Sequence, residues 1–263
     1  MNFVINDTRQ CPNIESGIGS ILGTREYQQD FAYLYTNEKE VLGILCDGMG
    51  GLEGGEQASR TAAKALADAF LKQRPEDRIP EFFMDAVRQM DQKVANLTRE
   101  GKGFLKAGTT VVSVLIRCGK LYFMSVGDSK LYLIRENKIQ SLTKEHNYRL
   151  QLAEQRDAGI ITPAKFEEEK NSRMAEALIS YIGMNGVARA DINTQPISLK
   201  DKDIVLLCSD GLYKCMNESQ IWAMIRDNDF DMKIAADRIL KMSKERSHRS
   251  QDNTTVILLK YNK

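Results

Sequence analysis

Leu45-Cys46-Asp47-Gly48-Met49-Gly50-Gly51-Leu52-Glu53-Gly54-Gly55-Glu56 is the stretch around which the chain is organised. The apolar run Val41 to Cys46, interrupted by Gly43, reads as a buried strand that ends on Asp47. Five glycines fall within the eight positions 48 to 55, and a helical pattern begins near Glu56. A carboxylate at a strand end, followed by backbone able to fold tightly, suits a hard cation. Asp supplies charge, and glycine lets carbonyl oxygens and water approach without a Cβ in the way. Taken alone, an Asp-Gly pair after a strand is more often a turn, so the rest of the chain has to decide.

Working outward, residues 1 to 45 read as β-rich, with strands at Phe3 to Ile5, Ser16 to Leu22, Phe31 to Thr36 and Val41 to Leu45. The polar stretch Gly23 to Asp30 separates the second from the third. Ala58, Ala62, Leu66 and Phe70 recur every four residues, and Phe83, Val87, Met90, Val94 and Leu97 at alternating four and three, which predicts two helices with core-facing stripes. Gly101-Lys102-Gly103 ends the second. Val111 to Arg117 and Leu121 to Val126 form a hairpin that is apolar on nearly every residue and so buried on both faces. Lys130 to Arg135 turns through Glu136-Asn137-Lys138 into Ile139 to Leu142. Lys144 to about Arg173 is a polar, short-helical excursion able to serve as a lid. Ala177 to Ile182 and Ile192 to Ile197 return to the core, Asp203 to Cys208 is a strand, helices follow at Glu218 to Ile225 and Phe230 to Ser243, and Thr254 to Leu259 is the last strand. Without internal repeats or long linkers, residues 1–263 are expected to form one domain.

The 263 residues suffice for a substantial core, and 42% hydrophobic with 28% charged residues is ordinary for a globular chain. With 37 basic and 36 acidic side chains, the net charge of +1 points to neither nucleic acid nor a membrane surface as partner. No apolar run approaches the ~18 residues that span a bilayer, and the first residues lack a signal-peptide pattern. Five scattered cysteines without a Cys-x-x-Cys pair suggest buried thiols in a reducing compartment. A cytoplasmic protein without membrane insertion, and a monomer, is the expectation.

Asp30, Asp47, Asp128, Asp210 and Asp252 all stand at strand edges or tight turns. Carboxylates so placed can converge on one side of a sheet core, where they repel one another and require a compensating cation. An oxygen-only set selects Mg²⁺ or Mn²⁺ over zinc. No Cys is followed six positions later by Arg, and no Gly-x-x-x-x-Gly-Lys-Ser/Thr loop exists, which excludes cysteine phosphatases and P-loop enzymes.

Arg25-x-x-Gln28-Gln29-Asp30, Cys46-Asp47-Gly48-Met49-Gly50-Gly51 with Gly55-Glu56-x-Ala58-Ser59, Gly108-Thr109-Thr110, Val126-Gly127-Asp128-Ser129, Leu142-Thr143-x-x-His146, Cys208-Ser209-Asp210-Gly211-Leu212 and Asp252-Asn253-Thr254-Thr255 follow one another in order. Together they resemble the signatures of the metal-dependent PP2C (PPM) serine/threonine phosphatases in their bacterial form, over about residues 10 to 260. The resemblance implies an α+β, four-layer α-β-β-α sandwich, with two central, mostly antiparallel sheets flanked by helices. It implies hydrolysis of phosphoserine and phosphothreonine in proteins by a metal-bridging hydroxide, opposing Ser/Thr kinases. Two Mn²⁺ or Mg²⁺ ions in the core site, and a third weaker one, would be the cofactors.

Position by position, the resemblance implies that Asp47 bridges two ions and the Gly48 carbonyl ligates the second. Asp210 and Asp252 would complete the first, Asp30 would hold metal-bound waters, and Asp128 would bind the third ion beside Asp210. Arg25 would grip the substrate phosphate, and residues 144–173 would be the flap. Gln28 stands where the family usually has Asn, Leu52 replaces a polar residue, and Met49 replaces the His of eukaryotic members, so no general acid is visible. His146 reads better as a structural hydrogen-bonding residue. Alternative readings are a binding module that has lost turnover and a phosphatase dedicated to one phosphoprotein.

Overall fold

Strand alternation and helix periodicity sort the apolar side chains into three layers of core between four layers of backbone. The computed structural model describes residues 3–7, 11–50, 54–99, 103–227, 230–246 and 250–263. Leu52 and the first part of the Gly101-Lys102-Gly103 break lie outside them.

In chain order the strands are β1 (Phe3–Asp7), β2 (Ile14–Ile21), β3 (Asp30–Thr36), β4 (Glu40–Met49), the short β5 (Thr98–Arg99), β6 (Gly103–Phe104) and β7 (Gly108–Thr109), then β8 (Val111–Arg117), β9 (Lys120–Val126), β10 (Lys130–Arg135), β11 (Lys138–Ser141), β12 (Asp191–Ile192), β13 (Ile197–Ser198), β14 (Ile204–Cys208) and β15 (Thr254–Tyr261). The helices are α1 (Gly54–Gln73), α2 (Ile79–Ala95), α3 (Tyr148–Asp157), α4 (Pro163–Glu169), α5 (Asp210–Tyr213), α6 (Glu218–Arg226) and α7 (Met232–Arg246).

One large sheet runs β1-β3-β4-β8-β9-β12, with β7 on β4 and β13 on β9, the other β11-β10-β14-β15-β2, and β5 and β6 pair apart from both as a small ribbon. Every pairing is antiparallel except β1 with β3. The period of two is legible in β14. Val205 and Leu207 face the layer between the sheets, while Ile204, Leu206 and Cys208 face α6 and α7. On the first sheet Leu42, Ile44 and Cys46 of β4 pack with α1 and α2, while Val41 and Leu45 face the second sheet. The sandwich is the expected α-β-β-α architecture.

Several expected boundaries move. β4 does not stop at Asp47 but continues to Met49, because β7 pairs with it at Gly48 and Met49. Ala177 to Ile182 contributes isolated bridges to Thr109 and Asn147 rather than a strand, and the segment around 192–197 gives only the two-residue β12 and β13. The polar excursion folds as α3, α4 and a 3₁₀ turn at Arg173–Glu176. Asn147 caps α3 by accepting from the Leu150 amide, and Thr162 caps α4 by accepting from Lys165.

Candidate active site

The ladder registers carry all five aspartates to one end of the sandwich. Asp30 opens β3 and is the cross-strand partner of Asp47 near the end of β4, so both side chains leave the same face. Val126, at the end of β9, pairs with Val111 at the start of β8, and Asp128 sits in the turn immediately beyond. In the second sheet Lys130 pairs with Cys208 and Cys208 with Val256, which sets Asp210 and Asp252 at that same end.

Other motif residues hold this backbone in place. Thr110 donates its amide to the Asp47 carbonyl at 2.8 Å, Thr109 Oγ1 donates to that oxygen at 2.9 Å, and the Asp47 amide donates to Thr110 Oγ1 at 3.1 Å. Thr110 Oγ1 is in turn 2.7 Å from Ser129 Oγ, beside Asp128. Gln28 is buried, accepting from the Asp30 amide at 3.0 Å and donating to Ser20 Oγ and the Ile21 carbonyl. The longer amide thus completes its own network at a position where the family usually has Asn. Gly48 is required by close approach: a Cβ there would lie 2.0 Å from the Gly55 carbonyl oxygen and 2.7 Å from that of Gln29.

The electrostatics are those of acids without enough counter-charge. Burial, reinforced by Asp210 and Asp252, pushes the Asp30 carboxyl up to about 7, against hydrogen bonds from Thr255 and Ser209. Burial and then Asp210 likewise bring Asp128 to about 7. Burial and the charges of Asp30, Asp210, Asp128 and Asp252 hold Asp47 well above the carboxylate range, and burial raises Asp210. Ser209 Oγ donates to Asp30 Oδ2 at 2.8 Å. Asp30 Oδ1 and Asp210 Oδ1 are buried without a hydrogen-bond partner among the described residues. Two chain cations engage the cluster. Arg25 Nη2 lies 2.6 Å from Asp252 Oδ2, and Lys214 Nζ 2.5 Å from Asp210 Oδ2. Among the described residues no three acidic, His or Cys side chains stand close enough to hold one ion as they are. Two of the carboxylates are engaged by chain cations, Asp252 by Arg25 and Asp210 by Lys214.

Asp30, Asp47, Asp128, Asp210, Asp252 and Arg25 are therefore brought to one site. Arg25 lines a groove of about 410 Å³ with Thr24, Gly211, Lys214 and Asp252. Lys214 and Ser209 were not singled out from sequence. The Asp210-to-Lys214 spacing, one helical turn, was the available signal for the first, and the position of Ser209 inside a quoted motif for the second. His146 is structural: its Nδ1 accepts from the Gly127 amide at 3.1 Å, its own amide donates to the Gly127 carbonyl, and Nε2 lies 3.5 Å from Asp191 Oδ1. No helix among the described residues is long and apolar enough to cross a membrane.

Comparison with known proteins accords with this geometry. The chain is 24% identical over 242 residues to the serine/threonine phosphatase Stp of Listeria innocua, covering 90% of this chain and 92% of that one. It superposes on the serine/threonine phosphatase of S. agalactiae with a TM-score of 0.80 at 23% identity, covering 95% of this chain and 100% of the other. The catalytic domain of the phosphatase PstP, solved in complex with two manganese ions, superposes with a TM-score of 0.74 at 24% identity, covering 95% and 99%. The family model described as protein phosphatase 2C matches residues 22–251, which span β3 to β14 and four of the five site aspartates, and the chain belongs to that family.

Proposed function

We propose that this chain is a Mn²⁺- or Mg²⁺-dependent hydrolase of phosphoserine and phosphothreonine in proteins, opposing Ser/Thr kinases. The observation that carries the reading is the pair of buried, unpartnered carboxylate oxygens, Asp30 Oδ1 and Asp210 Oδ1, inside a cluster of five aspartates. Buried polar atoms ordinarily find partners, and an oxygen-only donor set with surplus negative charge fits a hard divalent cation. Asp47 and the Gly48 carbonyl, with Asp210 and Asp252, would hold two ions, and Asp30 would orient water against them. When bound, such ions lower the pKa of water and neutralise charge on a phosphoryl group.

The chain's own residues do the rest. Arg25, with its side chain 60% exposed at the groove rim, presents a planar, permanently charged donor fork to a phosphate. Its partner Asp252 belongs to the proposed metal set, and with Asp252 so engaged the Arg25 guanidinium would turn to the substrate phosphate. Thr109 and Thr110 fix the Asp47 backbone, and Ser209 orients Asp30 through Oδ2, leaving Oδ1 for water. The open groove admits a loop carrying the phosphorylated residue, and the 144–173 excursion serves as the neighbouring flap.

The test is phosphate release from a phosphothreonine peptide by the native chain with Mn²⁺, with EDTA, and by Asp47→Asn with Mn²⁺. Turnover only in the first is expected. Equal release in all three would overturn the metal-dependent reading, and none with Mn²⁺ would favour a binding module that retains the fold without turnover.

A further inference from the structure

Asp210 divides its two carboxylate oxygens. Lys214 Nζ holds Oδ2 at 2.5 Å, while Oδ1 is buried with no hydrogen-bond partner among the described residues. Lys214 follows Asp210 by four residues across α5, the spacing at which side chains meet along a helix face. The fields of Asp128 and of Glu176, on the 3₁₀ turn of the excursion, also act on this ammonium, and it acts on Asp128 in return. The preceding residue fastens the same two segments, with Tyr213 Oη donating to the Asp128 carbonyl at 3.1 Å. Lys130 lies 4.0 Å from the centre of the Tyr213 ring and is paired with Glu145 at 2.7 Å. The turn carrying Asp128 and the helix carrying Asp210 are thus pinned together, with an ammonium on Asp210 whose field also acts on Asp128.

We propose that Lys214 is the third cation of this site. It neutralises the Asp128–Asp210 pair where the family resemblance places a third, weak divalent ion, and it leaves Asp210 Oδ1 to the first of the core ions. This rests on the metal-dependent reading above. A lysine ammonium suits the task as a compact point charge with three donors on a flexible stem. Side chains of 46% and 13% exposure for Lys214 and Asp210 place the pair at the mouth of the site, where the ammonium reaches in from the groove. A divalent ion entering beside it meets repulsion that, across about 4 Å at a solvent-like dielectric, weakens binding roughly 30-fold. The chain is therefore built to hold two divalent ions and to keep its own charge in the position of the third.

Direct Mn²⁺ binding tests this independently of turnover, by the electron paramagnetic resonance signal of free Mn²⁺ during titration. The native chain and Lys214→Arg should bind two ions, and Asp128→Asn in the native background should leave that number unchanged. Lys214→Met should gain one further ion per chain, at least roughly 30-fold tighter than any such binding in the native protein, and lose it again in the double variant with Asp128→Asn. Identical stoichiometry and affinity in the native chain and Lys214→Met would overturn the role of Lys214 alone. A third native ion that disappears with Asp128→Asn would do the same. No Mn²⁺ binding by any of them would overturn both this inference and the metal-dependent reading. Circular dichroism of each variant confirms that binding differences arise in folded protein.

Discussion

Removing divalent ions should make the stability of this protein fall as pH rises from 5.5 to 7.5. Burial and neighbouring acids raise Asp30 and Asp128 from 3.8 to about 7 in the folded chain. Between those values the folded chain retains protons that the unfolded chain has released, so each unit of pH favours unfolding. For one group shifted this far, the two-state expression gives a loss of about 2 kcal/mol between pH 5.5 and 7.5. Asp47 and Asp210 shift in the same direction, so the cluster as a whole carries that sign. For a chain of this size, about 2 kcal/mol corresponds to roughly 4–8 °C in melting temperature. Mn²⁺ should reverse the preference, because on the proposed reading it binds the deprotonated carboxylates and stabilises by mass action. The assay is a thermal melt at both pH values in EDTA and in excess Mn²⁺. Expected are a lower melting temperature at pH 7.5 in EDTA, a larger gain from Mn²⁺ at pH 7.5 than at pH 5.5, and a flatter EDTA profile for Asp128→Asn. A melting temperature in EDTA that stays level or rises across this window would refute the account of the aspartates as destabilising charges awaiting a cation.

Two further outcomes follow from the same geometry. Arg25→Ala should chiefly raise KM for a phosphopeptide and leave kcat within a few-fold, because a phosphate clamp acts in ground and transition states alike; an unchanged KM in steady-state kinetics would remove that role. Thr110→Val keeps the shape of a side chain that is 2% exposed but removes the oxygen that accepts from the Asp47 amide and meets Ser129. It should cost about 1–3 kcal/mol in a denaturant titration, with faster hydrogen exchange at the Asp47 amide than in the native chain, and unaltered exchange there would show that β4 is held without it.

The acids of this site were legible in the sequence, and their supports were not, for a physical reason. Each aspartate stands where an apolar run gives way to a turn or loop, a local pattern that a chain displays residue by residue. The expected end of β4 at Asp47 failed because hydrophobicity reports burial of side chains, whereas the ladder continues wherever a backbone partner is present. That partner is Gly108-Thr109, some sixty residues downstream. The same distance concealed the purpose of Gly108-Thr109-Thr110, quoted in the sequence as a motif without a role and found holding the Asp47 peptide. Gly48 was read as giving ions and water access. The structure shows it to be the point where β4 meets Gly55 at the start of α1, and this packing sets the position of the adjoining Asp47 whatever the carbonyl ligates.

The cations follow a different logic from the acids. Arg25 is 227 residues from Asp252, so their pairing is a property of the two sheets closing on one another and no local pattern announces it. Lys214 is one helical turn from Asp210 and was visible in principle, yet a lysine at that spacing commonly marks a solvated surface pair of little energetic weight. Its setting changes that assessment. Asp210 is largely buried, the charge of Asp128 acts on the same ammonium, and Tyr213 ties the two acids' segments together. Where an ion pair has one partner in a crowded acidic site, the cation governs what else can bind there. In this chain the arrangement places an exposed guanidinium on Asp252 at the rim of the groove. It also places an ammonium on Asp210 Oδ2 and leaves Oδ1 buried without a hydrogen-bond partner among the described residues.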